Sequence, residues 1–151
     1  MSDEALLRFR AAAHNDLATV LMAASRAVNE AALAAIDPAG TSGVRIAHIP
    51  VIASIDPEGT RLGMIATRIG ISRQAVAALV RDLTAAGVTA IVDDPLDGRA
   101  QIVTLTEGGS ALCERAADYL EAREQEWRAI YGDAQLLTVR EVLTGLSASA
   151  E

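Results

Sequence analysis

Five polar side chains stand out by type and spacing. Ser72, Arg73 and Gln74 open an amphipathic run, Arg81 follows seven residues after Gln74, and Arg99 ends the turn-rich string Asp94-Pro95-Leu96-Asp97-Gly98-Arg99. A carboxamide offers a donor and an acceptor side by side, which matches the major-groove edge of adenine. A guanidinium matches guanine or phosphate in the same paired fashion. Ala77 and Ala78 lie on the same outer side as Gln74 and Arg81 and keep that surface slim enough to approach base edges. The chemistry on offer is recognition of a nucleic acid rather than bond-making. Two plainer readings stay open for the residues taken singly: a solvated helix face for the first group, and a surface ion pair for Arg99.

The elements that would position these groups can be read from the flanking residues. Ser72 is a helix N-cap candidate, its hydroxyl taking a first-turn N–H, and Val76, Leu79, Val80 and Leu83 form the apolar face of the helix it opens. Before it, Leu62, Ile65, Ala66 and Ile69 recur at i, i+3, i+4 and i+7, and Gly70 ends that helix. After it, residues 88–92 and 100–105 are rich in β-branched side chains, with Pro95 and Gly98 between them, which predicts a hairpin with Arg99 at its projecting tip. Asp97, two residues earlier, is placed to hold the Arg99 guanidinium. Helix, turn, helix and arginine-tipped ribbon in immediate succession can touch a duplex twice. The second helix enters the major groove, and the ribbon lies on the backbone or in the minor groove.

Long helices are expected on either side of this centre. Leu6, Phe9, Ala13, Leu17, Val20, Ala24, Val28, Ala31 and Ala35 recur at steps of three and four, which predicts one continuous helix over 6–35. So long a stripe calls for a partner helix. A turn at 37–40 ends it, a second helix is expected over about 43–55 with Pro50 in its middle, and Asp56-Pro57-Glu58-Gly59 is a turn. Thr106 caps a further helix to about residue 130, Tyr131-Gly132-Asp133 interrupts it, and Leu136, Val139, Leu143 and Leu146 line a last one. Tyr119, Trp127 and Tyr131 read as core between two subunits, and Glu121, Glu124 and Glu126 as a solvated face. The division expected is a dimerisation helix over 1–40, a DNA-binding lobe over 41–109 and dimerisation helices over 110–151.

Composition bounds the remaining choices. Half of the 151 residues are apolar but only 3% are aromatic, and alanine dominates, which favours helix. All 13 basic residues are arginine, a coding bias expected of a GC-rich bacterial genome. The net charge of −7 runs against a DNA-binding footprint, and over 41–109 six arginines (45, 61, 68, 73, 81, 99) face seven acids (56, 58, 82, 93, 94, 97, 107). The acidic start is unlike a secretory signal, no apolar run is expected to reach the length of a membrane span, and a cytoplasmic protein without membrane partners is anticipated. Phosphate-binding glycine loops, nucleophile elbows and metal-ligand spacings are missing from the sequence, His14 and His48 being far apart, so no catalytic residue, metal or cofactor is expected. Cys113 is either a small buried hydrophobe or, near a helix N-terminus, a redox-active thiol.

The run IATRIGISRQAVAALVRDLTAAGV, followed by DDPLDGRAQIVTLTEGG, resembles the MarR (multiple antibiotic resistance regulator) family of winged-helix transcription factors. The Asp-Pro-x-Asp-Gly-Arg-Ala wing and the Leu-Thr-x-x-Gly after it carry the likeness, and the flanking helices agree in length and placement. Gly87-Val88-Thr89-Ala90-Ile91 departs from the family in lacking an aromatic residue and a charged pair. The resemblance implies a mainly α fold with a small β-hairpin wing, a winged helix-turn-helix with long N- and C-terminal dimerisation helices. It implies a homodimer that binds a near-palindromic double-stranded operator, with Ser72, Arg73, Gln74 and Arg81 on the recognition helix, Arg99 on the wing and Asp97 supporting that arginine. A repressor relieved by a small phenolic or lipophilic effector is the function implied. Two alternatives stand beside it: a winged-helix protein-interaction module without tight DNA binding, which the acidic balance favours, and a redox sensor acting through Cys113.

Overall fold

The computed structural model describes residues 2–14, 16–38 and 40–148. Parts of the turn at 37–40 and of the outer ends of both terminal segments therefore lie outside the described residues. The chain runs α1 (Ser2–His14), α2 (Leu17–Ile36), a 3₁₀ turn (Ile46–His48) leading into the one-turn α3 (Ile49–Ile52), α4 (Leu62–Ile69), α5 (Arg73–Ala85), β1 (Thr89–Asp94), β2 (Asp97–Leu105), α6 (Glu107–Tyr131) and α7 (Asp133–Ala148). This is a mainly helical fold with one antiparallel hairpin as its wing.

The core lies under the winged lobe. Val51, Ile65, Ala66, Val76, Val80, Leu83, Val88 and Val103 form one buried cluster, drawn from α3, α4, α5 and the hairpin. The α4–α5 turn is built as the sequence dictates. Gly70 takes the left-handed conformation at φ 70°, and Ser72 Oγ accepts the Ala75 N–H at 3.2 Å to start α5. The wing is anchored just before α4 by a single antiparallel bridge, since Thr60 and Val103 exchange both backbone hydrogen bonds at 2.9 Å. Gly59 makes that approach possible, because a Cβ there would sit 2.7 Å from Ile102 Cδ1. Thr106 caps α6 through the Gly109 N–H at 3.0 Å and donates its hydroxyl to the Gly87 carbonyl at 2.6 Å.

Several expectations need correction. The stripe over 6–35 is two helices, because Asp16 adopts an extended backbone and its carboxylate accepts the Thr19 N–H at 3.3 Å, opening a new helix. The helix expected over 43–55 is only the 3₁₀ turn and α3. Pro50 falls in the first turn of α3, where its missing N–H costs nothing, rather than in a helix interior. The hairpin turn is shorter than expected: β1 runs to Asp94 and β2 begins at Asp97, so Pro95 and Leu96 form the tip and Arg99 sits on β2. Helix α2 is 20 residues with a mean hydropathy of 1.2, long and apolar enough by length and composition to cross a membrane, contrary to expectation. Alanine supplies much of that hydropathy, and Arg26 and Glu30 pair within the helix at 2.8 Å. Glu124 is not simply solvated, since it accepts from Arg140 at 2.6 Å and lies 3.3 Å from Arg128, tying α6 to α7.

Both terminal arms leave apolar surface open. On α1 and α2, Leu6, Phe9, Leu17 and Val20 are exposed, as are Leu137, Val139, Val142, Leu143 and Leu146 on α7. Within the chain α2 packs on α6 and α6 on α7. Tyr119 and Trp127 flank Arg123, whose guanidinium carbon lies 5.8 and 5.9 Å from their ring centres, whereas Tyr131 is exposed.

At Gly109 an added Cβ would meet the Val88 carbonyl oxygen at 2.0 Å. Gly109→Ala is therefore expected to lower stability by about 2–4 kcal/mol, read as a fall in the thermal midpoint. Gly63→Ala, with open space around the added methyl, is expected to leave stability unchanged or raise it by up to about 1 kcal/mol.

Candidate nucleic-acid interface

Helix α5 presents two chemically distinct sides. Val76, Val80 and Leu83 are buried in the core, while Arg73, Gln74 and Arg81 are exposed. Ala77 and Ala78 are half-buried between them and leave that face low. Ser72 uses an oxygen lone pair for its cap, so its hydroxyl proton stays available to an acceptor such as phosphate.

The wing is held in place by an arginine that the sequence reading used only in a charge count. Arg61, the residue before α4, donates Nε and Nη2 to Asp94 Oδ2 at 2.8 and 2.6 Å and reaches Asp97 Oδ2 at 3.3 Å. Asp94 is buried, and its second oxygen accepts the Leu96 N–H at 2.9 Å, which fixes the hairpin turn. The Leu96 N–H, and after it the Arg61 guanidinium, hold the Asp94 carboxyl below its ordinary value of 3.8.

Asp97 therefore does not hold the Arg99 guanidinium. Its Oδ1 accepts the Arg99 backbone N–H at 3.2 Å and its Oδ2 turns to Arg61. The effect is to shape the strand on which Arg99 stands. A local signal for Arg61 did exist, in the two aspartates that bracket Pro95-Leu96 and require a cation. Their partner stands 33 residues earlier for Asp94 and 36 for Asp97, beyond the reach of any spacing rule.

Other arginines of the lobe are also paired. Arg68 donates to both oxygens of Asp56, at 3.0 and 2.9 Å, and to the Ser54 carbonyl at 2.7 Å. Arg45 binds Asp82 on α5. His48, fully buried, accepts the Arg45 N–H on Nδ1 at 3.1 Å and places Nε2 3.7 Å from Asp82. Burial first, then the adjacent Arg45 cation, lowers the His48 pKa and keeps the ring neutral. This leaves Arg73, Arg81 and Arg99 with no side-chain partner among the described residues. Arg73 and Arg99 line one open cleft of about 720 Å³ with Arg61 and Arg68, floored by Gly63, Met64 and Thr67. A near-neutral lobe thus gathers four arginines around one cleft, two of them unpaired.

Cys113 lies at a second cavity, between α2, α3 and α6, and burial pushes its thiol pKa up, the direction opposite to an activated thiolate. His14 is exposed on α1, and no grouping of three or more metal-ligating side chains occurs among the described residues.

An α4–turn–α5 pair with a hairpin bridged to the chain just before it is a winged helix-turn-helix, the architecture of many DNA-binding domains. Its particular version, with long helices at both ends, is the fold of the MarR-family transcriptional regulators. CouR bound to a 23-mer DNA duplex superposes with a TM-score of 0.71 at 24% identity, covering 91% of this chain and 96% of that one. MarR gives 0.66 at 17%, over 89% and 98%. BpsR of Bordetella bronchiseptica, whose DNA binding is regulated by 6-hydroxynicotinic acid, gives 0.62 at 22%, over 88% and 94%. CouR of Rhodococcus jostii RHA1 is also known bound to p-coumaroyl-CoA, with a TM-score of 0.68 at 22% identity over 89% and 93%. No protein-family model matches the sequence, and no curated protein does. At these identities the likeness establishes the fold.

The Asp94 clamp gives a pH dependence of definite sign. Its folded pKa lies below the unfolded value, so the stabilisation is present above about pH 4 and is lost as pH falls through the folded value. Hydrogen exchange at the wing amides is expected to lose protection between about pH 5 and 3 relative to its intrinsic pH trend. Asp94→Asn should remove that pH-dependent component, and Arg61→Leu should reduce it while the Leu96 N–H keeps the rest.

Proposed function

We propose that this protein is a cytoplasmic, homodimeric, sequence-specific DNA-binding regulator of the MarR family, a repressor released by a small ligand. The observation that carries the reading is which arginines of the lobe stay unpaired. Of six arginines in the winged lobe, Arg45, Arg61 and Arg68 are spent on Asp82, Asp94, Asp97 and Asp56. Arg73, Arg81 and Arg99 stay open on α5 and the wing, beside Gln74 and Ser72. In this reading α5 enters the major groove, where Gln74 reads a base edge while Arg73 and Arg81 take guanine or phosphate. Arg99 lies on the backbone or in the minor groove, and Arg61 acts by holding the wing.

The exposed apolar faces of α1, α2 and α7 support assembly of two copies, which would offer two recognition helices to one near-palindromic operator. The duplex carried by CouR supports DNA as a partner. The ligands of CouR and BpsR support an effector, and the cavity between α2, α3 and α6 is the place for one.

Genomic fragments selected by the purified dimer supply the operator. Affinity for it should fall steeply with salt. Arg99→Ala is expected to weaken binding to all duplexes and reduce the salt slope by about 1. Gln74→Ala should relax preference at one base position, by about 1–3 kcal/mol. Salt-independent binding, or unchanged affinity in both variants, would overturn the interface and favour a protein-interaction module. Sedimentation should give a dimer, shifted toward monomer in Leu143→Asp.

A further inference from the structure

The tip of the wing is the pair Pro95-Leu96, set between the cross-strand partners Asp94 and Asp97. Leu96 is 95% exposed, more than any other large apolar side chain among the described residues. A single leucine in solvent is ordinary on a protein surface. This one is distinguished by how firmly its backbone is held. Pro95 fixes one dihedral of the turn, and Asp94 Oδ1 accepts the Leu96 N–H at 2.9 Å. Arg61 clamps Asp94 and Asp97 from the entry to α4, and the Thr60–Val103 bridge ties β2 to the same stretch. An apolar side chain on a backbone already fixed gives up little chain freedom when it inserts into a partner.

The charges around the tip are poorly suited to gripping phosphate by themselves. Arg61 and Arg99 stand there against Asp93, Asp94 and Asp97, and Asp93 is exposed. Arg61 is moreover committed to Asp94 and Asp97. The wing is left with one open guanidinium, Arg99, and an uncharged apolar tip. Leucine and proline are among the side chains that enter a minor groove as wedges, parting a base step and gaining apolar contact with the bases. Arg99 follows Leu96 on β2, close enough in sequence to meet the backbone beside an inserted tip.

We propose that Leu96 is an apolar wedge, entering the minor groove and partly unstacking one base-pair step in each operator half-site, so that the wing reads the deformability of that step. The inference rests on the regulator reading for the presence of a duplex. It goes beyond that reading by assigning base-step deformation to a residue without polar chemistry. Pyrimidine–purine steps such as TA, which open most easily, are the expected targets.

The test uses the full-length protein and the operator duplex selected from genomic fragments. Each adenine is replaced in turn by 2-aminopurine, a fluorescent base whose emission rises when it unstacks. The wild-type protein is expected to brighten the probe at one step in each half-site. Leu96→Ala and Leu96→Ser should abolish that rise and weaken binding by about 5–30-fold. The slope of affinity against salt should stay unchanged in both, because an apolar contact releases no counterion. Leu96→Met should restore the brightening and most of the affinity. The Leu96 side chain is almost fully exposed and its N–H survives in every variant, so the thermal midpoint should hold throughout. Absence of any brightened position, or equal brightening and affinity in Leu96→Ala, overturns the proposal while leaving the regulator reading intact. Failure to bind any selected duplex overturns both.

Discussion

The arrangement of ion pairs in the winged lobe governs what its surface can do. Each of these pairs has at least one partner more than two-fifths exposed, so each adds little to stability. Their consequence lies in the field they leave behind. Asp56 and Asp82 each pair with one arginine, Asp94 and Asp97 share Arg61, and Arg73, Arg81 and Arg99 are left as the unpaired cations of α5 and the wing, with Asp93 on β1 an exposed acid beside them. A chain of net charge −7 can in this way keep arginines unpaired on one side of the lobe. Net charge describes the molecule, whereas recognition depends on which charges remain uncompensated on one side of it.

The same pairs have a mechanical effect. Arg61 bridges the entry to α4 and the wing turn, and Thr60 and Val103 fasten the neighbouring backbone. The wing and the α4–α5 pair are thereby referred to one short stretch of chain, which keeps their separation fixed. On the other side, the segment carrying Val44, Ile49 and Ile52 is both wall of the α2–α3–α6 cavity and, through Arg45 and His48, neighbour to Asp82 on α5. The cavity and α5 share a structural element.

Local chemistry was legible in the sequence. Ser72 and Thr106 were readable as caps because a hydroxyl before an apolar periodic run satisfies its own first turn, and both do so. Gly70 was readable as a stop because a left-handed residue ends a helix there. The failures were of two kinds. Within 6–35 and 43–55, apolar period outweighed the polar or proline residue that divides the segment, and Asp16 and Pro50 decided where the helices begin. At Asp97 the nearest cation in sequence was chosen over the nearest in space.

By itself, then, the sequence determined α4, α5, the hairpin and the start of α6, the inward and outward sides of α5 and the class of fold, since these follow from periodicity, capping and turn chemistry within a few residues. Tertiary structure alone decided which arginines are free, because a guanidinium pairs with whatever carboxylate the folded chain brings within reach. It also decided that Cys113 lies in an apolar wall beside Asn29, contributed by helices more than eighty residues apart. Charge compensation and enclosure are properties of distance in space, and no spacing along a chain encodes them.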